Sequence, residues 1–299
     1  RWRCAPFRSV AIPHARRAAP ATAAHCDTDP MPDDRALGVF DSGVGGLTVV
    51  RAINVLLPGE AVRYVGDTAR SPYGPRPVAE IRRFALEIAD HLARTEVKML
   101  VVACNSIEVS AIEDVARAHG LPVVGVIAPG IRAAARATRS GRVGLIGTLA
   151  TVTSGAYVRA AADEGSGISL VSAACPVFVD HVEAGDTSSP TLRAAAEGYL
   201  APLLAAEIDT LILGCTHYPM LADLLSSVVG PGVTLVSSAE ETARDVAGVL
   251  AATGAERRAA STPAHEIGCT GDPAAFREVA ARVLGDGLGD VRRVELVAS

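Results

Sequence analysis

Short apolar runs along the chain alternate with longer stretches in which apolar positions recur every three or four residues. The runs Leu37–Phe40, Val62–Val65, Val97–Ala103, Val123–Ile127, Val143–Ile146, Ile168–Ser172, Thr210–Gly214 and Thr234–Val236 read as strands. Several are apolar on both faces, as parallel strands covered by helices on either side must be. Between them Val78, Ile81, Phe84, Ile88 and Leu92 fall on one helical face, and so do Tyr199, Leu200, Leu203, Leu204 and Ile208. Such a βα series predicts an α/β protein with doubly wound, mostly parallel sheets.

Two of the strands end alike. Val101-Val102-Ala103 runs into Cys104-Asn105-Ser106, and Leu211-Ile212-Leu213-Gly214 runs into Cys215-Thr216-His217. We read these as equivalent positions in two similar halves. Parallel α/β sheets place ligands at the carboxyl ends of their strands, so two such ends facing one another bring two thiols to one cleft. A free cysteine is often only a small buried hydrophobe. That reading suits Cys175 before Pro176, and Cys269 lacks an adjoining apolar strand. Cys104 and Cys215 instead stand among hydroxyls and amides, where a helix start favours a thiolate.

Length fits this division, since 299 residues suffice for two domains. The expected boundaries are a first domain of residues 31–127 plus 239–299 and a second of 128–238. Residues 1–30 stand apart. They are rich in Arg, Ala and Pro, have no acid before Asp27 and lack a secretory apolar stretch. They read as a transit-like peptide, a disordered tail or sequence upstream of a start at Met31, of which we favour the last.

Net charge is −5, and five arginines against two aspartates give the first thirty residues +3, leaving −8 for the body. An acidic body argues against nonspecific nucleic-acid binding. No run of about 18 apolar residues predicts a membrane span. Six cysteines without a CxxC pair fit a reducing compartment. Cys215 and His217 form a C-x-H pair with no second pair nearby, so no zinc site is expected.

The loop Asp41-Ser42-Gly43-Val44-Gly45-Gly46-Leu47-Thr48 follows the first strand and opens a helix. It fails as a dinucleotide fingerprint because Thr48 occupies the third glycine position, and it fails as a phosphate-binding Walker loop because no Lys follows. Asp67, at the next strand end, is then only a weak ribose-binding candidate. What survives is a tight turn with N–H groups at a helix start, suited to a carboxylate or a phosphate.

Taken in order, the motifs resemble those of the bacterial glutamate racemases, in the aspartate/glutamate racemase superfamily. Phe40 to Thr48 resembles the family's amino-terminal signature, and Pro72-Tyr73-Gly74 its substrate loop. Ala103-Cys104-Asn105-Ser106 and Gly214-Cys215-Thr216-His217-Tyr218-Pro219 resemble its two catalytic-cysteine motifs. Gly147-Thr148 with Thr151, Ser154 and Tyr157, then Ala174-Cys175-Pro176 with Glu183, and finally Thr270-Gly271-Asp272-Pro273 with Phe276 complete the series. The resemblance implies a cofactor-independent, metal-independent amino-acid racemase of two similar α/β domains. Its expected setting is the bacterial cytoplasm, where it supplies D-glutamate for peptidoglycan, and its expected state is a homodimer.

Racemisation takes a proton from one face of Cα and returns one to the other, which two flanking acid–base groups accomplish without moving the substrate. By the resemblance, the Cys104 thiolate deprotonates D-glutamate and the Cys215 thiolate L-glutamate. Asp41 is the implied partner of Cys104, and His217 and Glu183 the implied assistants of Cys215. On their own, Asp41 reads as a turn or cap and His217 as a satisfied histidine. With no electron-sink cofactor motif apparent, donors around the α-carboxylate must stabilise the carbanion. Ser42, Asn105, Ser106, Thr148 and Thr216 are the candidates, and Tyr73-Gly74 is expected to hold the distal part of the substrate.

One departure stands out. Ile107 and Glu108 follow Cys104-Asn105-Ser106, where the family places small residues. With Asn105 as N-cap, Glu108 would be the third helical residue of an Asn-x-x-Glu capping box. The competing reading is an acid one turn from Cys104 that disfavours its thiolate, with Ile107 narrowing the pocket. Two other functions stay open: an aspartate racemase of the same superfamily, and a weakly active homologue that inhibits DNA gyrase by protein contact, without direct DNA binding.

Overall fold

The computed structural model describes residues 33–259 and 261–297. The segment 1–30 and the favoured start at Met31 lie outside the described residues. From the first strand the chain runs β1 (Leu37–Asp41), α1 (Leu47–Leu56), β2 (Val62–Gly66), α2 (Val78–Arg94), β3 (Met99–Val102), α3 (Asn105–His119), β4 (Val123–Val124). It continues through α4 (Ile127–Ala137), β5 (Arg142–Gly147), α5 (Leu149–Thr153), α6 (Ala156–Asp163), β6 (Ser169–Ala174), α7 (Val177–Glu183), α8 (Pro190–Ala205) and β7 (Thr210–Gly214). The last elements are α9 (Ala222–Val229), β8 (Thr234–Val236), α10 (Ala239–Thr253), β9 (Glu266–Cys269), α11 (Pro273–Leu284) and β10 (Val291–Arg293).

Among the described residues two sheets form, with strand orders β10-β9-β2-β1-β3-β4 and β6-β5-β7-β8. Every pairing between these strands is parallel. The expected pair of similar α/β domains is therefore the observed architecture. Alternation along the strands divides each core in two. Val39 and Val101 face the cluster under α1 and α10, while Phe40 and Val102 face the cluster under α2 and α3. Each such aliphatic side chain, wholly out of water, contributes about 1.5–3 kcal/mol before entropy. In the second sheet Leu211 and Leu213 pack with Leu200 and Leu203 of α8, while Ile212 and Leu145 face Ile127 and Ile131 of α4.

Strand direction changes at equivalent places. In the first sheet β1 lies between β2 and β3, and in the second β5 lies between β6 and β7. The crevices beyond β1/β3 and β5/β7 are thus topological switch points, where open α/β sheets take their ligands. Cys104 follows β3, and Cys215 follows β7.

The structure corrects three local readings. Ile127 does not close a strand but opens α4, because the Glu108 carboxylate accepts the amides of Val126 and Ile127 and turns the chain into a helix. Cys269 does adjoin a strand, for it ends β9. Glu266-Ile267-Gly268-Cys269 is too short and too weakly apolar to register as a run, and its burial comes from neighbours such as Val294 over Gly268. Ile208 lies beyond the end of α8, in the core that this helix covers.

Candidate active site

Cys104 is the N-cap of α3, with extended backbone (φ −96°, ψ 123°), so its thiol stands at the start of the helix. Asn105 and Ser106 form the first turn and project into the same crevice. Ser42, Pro72, Tyr73, Gly74, Cys104, Asn105, Ser106, Thr148, Cys215, Thr216 and His217 line one small cavity between the two sheets. Two of the residues singled out from sequence do not line it. Asp41, wholly buried, stands behind Thr216, and Glu183 stands behind His217. Val179 also lines the cavity and carried no sequence signal.

The two thiols have different surroundings. The Cys104 sulfur lies 3.5 Å from the Ser42 hydroxyl. Burial pushes this thiol up to about 12, and the charges of Asp41 and Cys215 push the same way, against the Ser42 hydroxyl and the Ile107 amide. The Cys215 sulfur lies 3.8 Å from His217 Nδ1, whose Nε2 lies 3.2 Å from Glu183 Oε1. Burial works against the His217 imidazolium. Cys215, Glu183 and Asp41 outweigh it and raise the pKa well above the ordinary histidine value. Burial likewise opposes ionisation of Glu183, but His217 and the Ser71 hydroxyl prevail and hold its pKa below the usual range. Replacing Glu183 with Gln removes the anion beside the ring, so His217 then loses its proton at lower pH than in the parent. Side-chain NMR of labelled histidine reads this directly, and an unmoved His217 titration would contradict the coupling.

Two amides of the glycine-rich loop are committed within the protein. The amides of Gly43 and Gly46 both turn back onto the Asp41 carboxylate, with Gly43 N 2.7 Å from Oδ1. The loop's glycines allow close approach of the second domain. A Cβ at Gly45 would lie 2.5 Å from Thr216 Oγ1 and 2.7 Å from His217 Nδ1. The expected substrate loop is also tied down from an unexpected side. The Tyr73 hydroxyl donates to Asp67, which accepts from Thr270 as well and pairs with Arg70. Asp67 therefore anchors a loop rather than standing free at a strand end.

Among the described residues, four hydrogen bonds join the sheets around the cavity. The Thr216 hydroxyl donates to Asp41 Oδ2 at 2.9 Å, and the Ser71 hydroxyl donates to Glu183 at 2.7 Å. Tyr157 donates to Asn105 Oδ1 at 2.7 Å, and the Ser106 and Thr148 hydroxyls lie 2.9 Å apart. Tyr157 thereby fixes which way the Asn105 amide faces and leaves its buried Nδ2 donor without a partner. The enclosed space is about 10 Å³, room for about one water. An amino acid therefore enters only when the domains part. Four bonds at about 0.5–1.5 kcal/mol each hold the closed state without locking it.

The expected capping box does not form. The N-cap of α3 is Cys104, and the Glu108 carboxylate accepts instead from the amides opening α4. Burial pushes the Glu108 carboxyl up to about 7. The groups acting on Cys104 named above do not include it.

Two thiols at facing strand ends define a class able to exchange a proton on both sides of one carbon. The Asp/Glu/Hydantoin racemase family model matches residues 38–246. Among curated proteins, the chain is 57% identical to the glutamate racemase of a Parafrankia species over 250 residues, covering 83% of this chain and 90% of that one. It is 53% identical to the glutamate racemase of Mycobacterium tuberculosis, covering 86% and 95%. Among solved structures, a Bacillus anthracis glutamate racemase superposes with a TM-score of 0.83 at 39% identity, covering 89% of this chain and 99% of that one. The chain belongs to the glutamate racemase family.

Among the described residues, no helix is long and apolar enough to cross a membrane, and no group of three or more His, Cys, Asp or Glu residues could hold a metal ion.

Proposed function

We propose that this protein interconverts L- and D-glutamate by a two-thiol acid–base mechanism and supplies D-glutamate for peptidoglycan in the bacterial cytoplasm. The observation that carries the proposal is the pair Cys104 and Cys215, each at the switch point of its own sheet and both lining one cavity. With L-glutamate, the Cys215 thiolate takes the Cα proton. The C–H bond breaks, an S–H bond forms, and the electron pair moves into the α-carboxylate. The Cys104 thiol then gives its proton to the opposite face of Cα and is left as thiolate. D-glutamate runs the same steps in reverse.

Burial raises the pKa of Cys104, so its thiolate needs help to form. A thiolate formed in the closed site is a stronger base than one in water, and the substrate's ammonium group supplies the positive charge that favours its formation. Among the described residues the cavity wall has no Lys or Arg, so neutral donors and His217 meet the carboxylates. We assign the α-carboxylate to Asn105 Nδ2 and Ser42, with Thr148 and Ser106 completing the donor set, while Thr216, its hydroxyl proton held by Asp41, forms part of the wall. Pro72, Tyr73 and Gly74 bound the distal carboxylate. Asp41 orients Thr216 and acts on Cys104 through its charge, and Glu183 acts through His217.

The domain division 31–127 plus 239–299 and 128–238 belongs to this reading. It is supported by α4 packing on the second sheet and α10 against α1. A homodimer and contact with DNA gyrase are separate proposals. Sedimentation tests the first, and a supercoiling assay with the double cysteine variant tests the second.

Proton NMR in heavy water tests the reaction itself. L-glutamate is expected to lose its Cα proton signal while D-glutamate accumulates, and L-aspartate is expected to react far more slowly. Faster washout from aspartate would reassign the substrate, and no washout from either acid would remove the racemase reading.

A further inference from the structure

Glu108 lies on α3 one turn beyond Cys104, and its side chain reaches the first crossover between the domains. Oε2 lies 2.5 Å from the amide of Val126 and 3.0 Å from that of Ile127. Ile127 opens α4, which packs on β7 and α6 in the second domain. The crossover is shaped to receive this carboxylate. A Cβ at Gly125 would lie 2.5 Å from both Cδ and Oε1 of Glu108, and 2.6 Å from Oε2. Glycine at one position and glutamate at the other therefore form a fitted pair.

The same helix meets the second domain at the cleft through Asn105 with Tyr157 and Ser106 with Thr148. One rigid element thus carries Cys104, touches the facing domain in front and holds the crossover behind. Arg159 and Asp163 of α6 and Arg244 and Asp245 of α10 line the grooves beside Glu108, as do Glu113 and Asp114 of its own helix. The interactions that set the carboxyl's protonation are its burial and the two amides, not any of these charges.

We propose that Glu108 is a positioning residue that clamps the 124–127 crossover to the Cys104 helix and so sets the closed relation of the two domains. A neutral side chain with the same acceptor keeps the clamp. A side chain without an acceptor releases it, so fewer molecules hold the two domains at the spacing at which both meet a bound substrate, and apparent substrate affinity weakens in proportion.

The test is a cycle of Glu108→Ala, Glu108→Gln, Gly125→Ala and the double Glu108→Ala/Gly125→Ala, in the full chain. Amide hydrogen exchange is followed at Val126 and Ile127, and glutamate kinetics are measured alongside. In Glu108→Ala, exchange at both amides is expected to accelerate about tenfold or more, with KM up about tenfold and kcat within about threefold. Glu108→Gln is expected within about twofold of the parent in both readouts. Gly125→Ala drives the carboxylate out and is expected to match Glu108→Ala. In the double variant the colliding atoms are gone, so Gly125→Ala adds less than about twofold.

Unchanged exchange at Val126 and Ile127 in Glu108→Ala would overturn the proposal. So would equal costs of Gly125→Ala in both backgrounds. The kinetic arm rests on the racemase reading, whereas the exchange arm does not. A parent inactive on glutamate but with a responsive crossover would sink the former and leave the clamp standing.

Discussion

Cys104→Ala and Cys215→Ala each lose racemisation in both directions, by about 10²–10⁴-fold or more, the worth of a positioned general acid or base. Every turnover needs one thiolate and one thiol, so neither cysteine can be spared. What separates their roles is a reaction needing only a base. A glutamate analogue with chloride on Cβ can lose its Cα proton and expel chloride from the neighbouring carbon, and the enamine then hydrolyses to a keto acid. No proton need be returned to the opposite face. Cys104→Ala is expected to retain this elimination with the L-analogue and lose it with the D-analogue, and Cys215→Ala the reverse. Chloride release followed for both enantiomers reads the result. Loss of elimination from both hands in either variant would contradict one base per face.

Gly45→Ala is the second large effect expected. Its Cβ would lie 2.8 Å from the backbone carbon of Thr216, as well as 2.5 Å and 2.7 Å from side-chain atoms of Thr216 and His217. A flexible side chain could give way, but a backbone atom beside Cys215 cannot do so without moving the strand end. All three atoms belong to the facing domain, so the first domain folds normally and the clash arises only on closure. A misplacement of about 1 Å in a reacting group can cost about 10²-fold. We therefore expect kcat/KM for glutamate to fall about 10²-fold with little change in thermal midpoint. Gly59→Ala, where a Cβ meets nothing within 4 Å, is the control. Near-parent kcat/KM in Gly45→Ala would show that the domains need not approach this closely.

The strands that carry chemistry were legible because they are buried on both faces and therefore read as apolar runs. β1, β3, β5 and β7 needed no tertiary information beyond that. β9 and β10 are not legible: β9, though inside the sheet, is too short and too weakly apolar to read as a run, and β10, at the edge with polar positions, resembles a loop until its neighbours are known. The polar residues of the cleft could be collected from motifs, but their connections could not. Whether Asp41 serves Cys104 or Thr216 depends on a contact between residues 175 positions apart. Ser71 gave no signal because its partner Glu183 arrives from the other domain. Glu108 stands out in the sequence, but its partner does not. Local spacing suggested its own helix, whereas the carboxylate caps a different one, at a crossover whose shape only the fold reveals.

The unequal surroundings of the two thiols have a kinetic consequence. On the two-thiol mechanism each turnover leaves the protein in the protonation state suited to the enantiomer it has just released. Before it can act again on the same hand, a proton must pass from one sulfur to the other without the substrate's help. Ser42 and Asp41 attend one sulfur, and His217 and Glu183 the other. The two resting forms therefore differ in energy, and a closed cavity with room for about one water offers a narrow path between them. On that mechanism the protein carries a memory of its last turnover, and the memory must fade before the same hand can be turned over again.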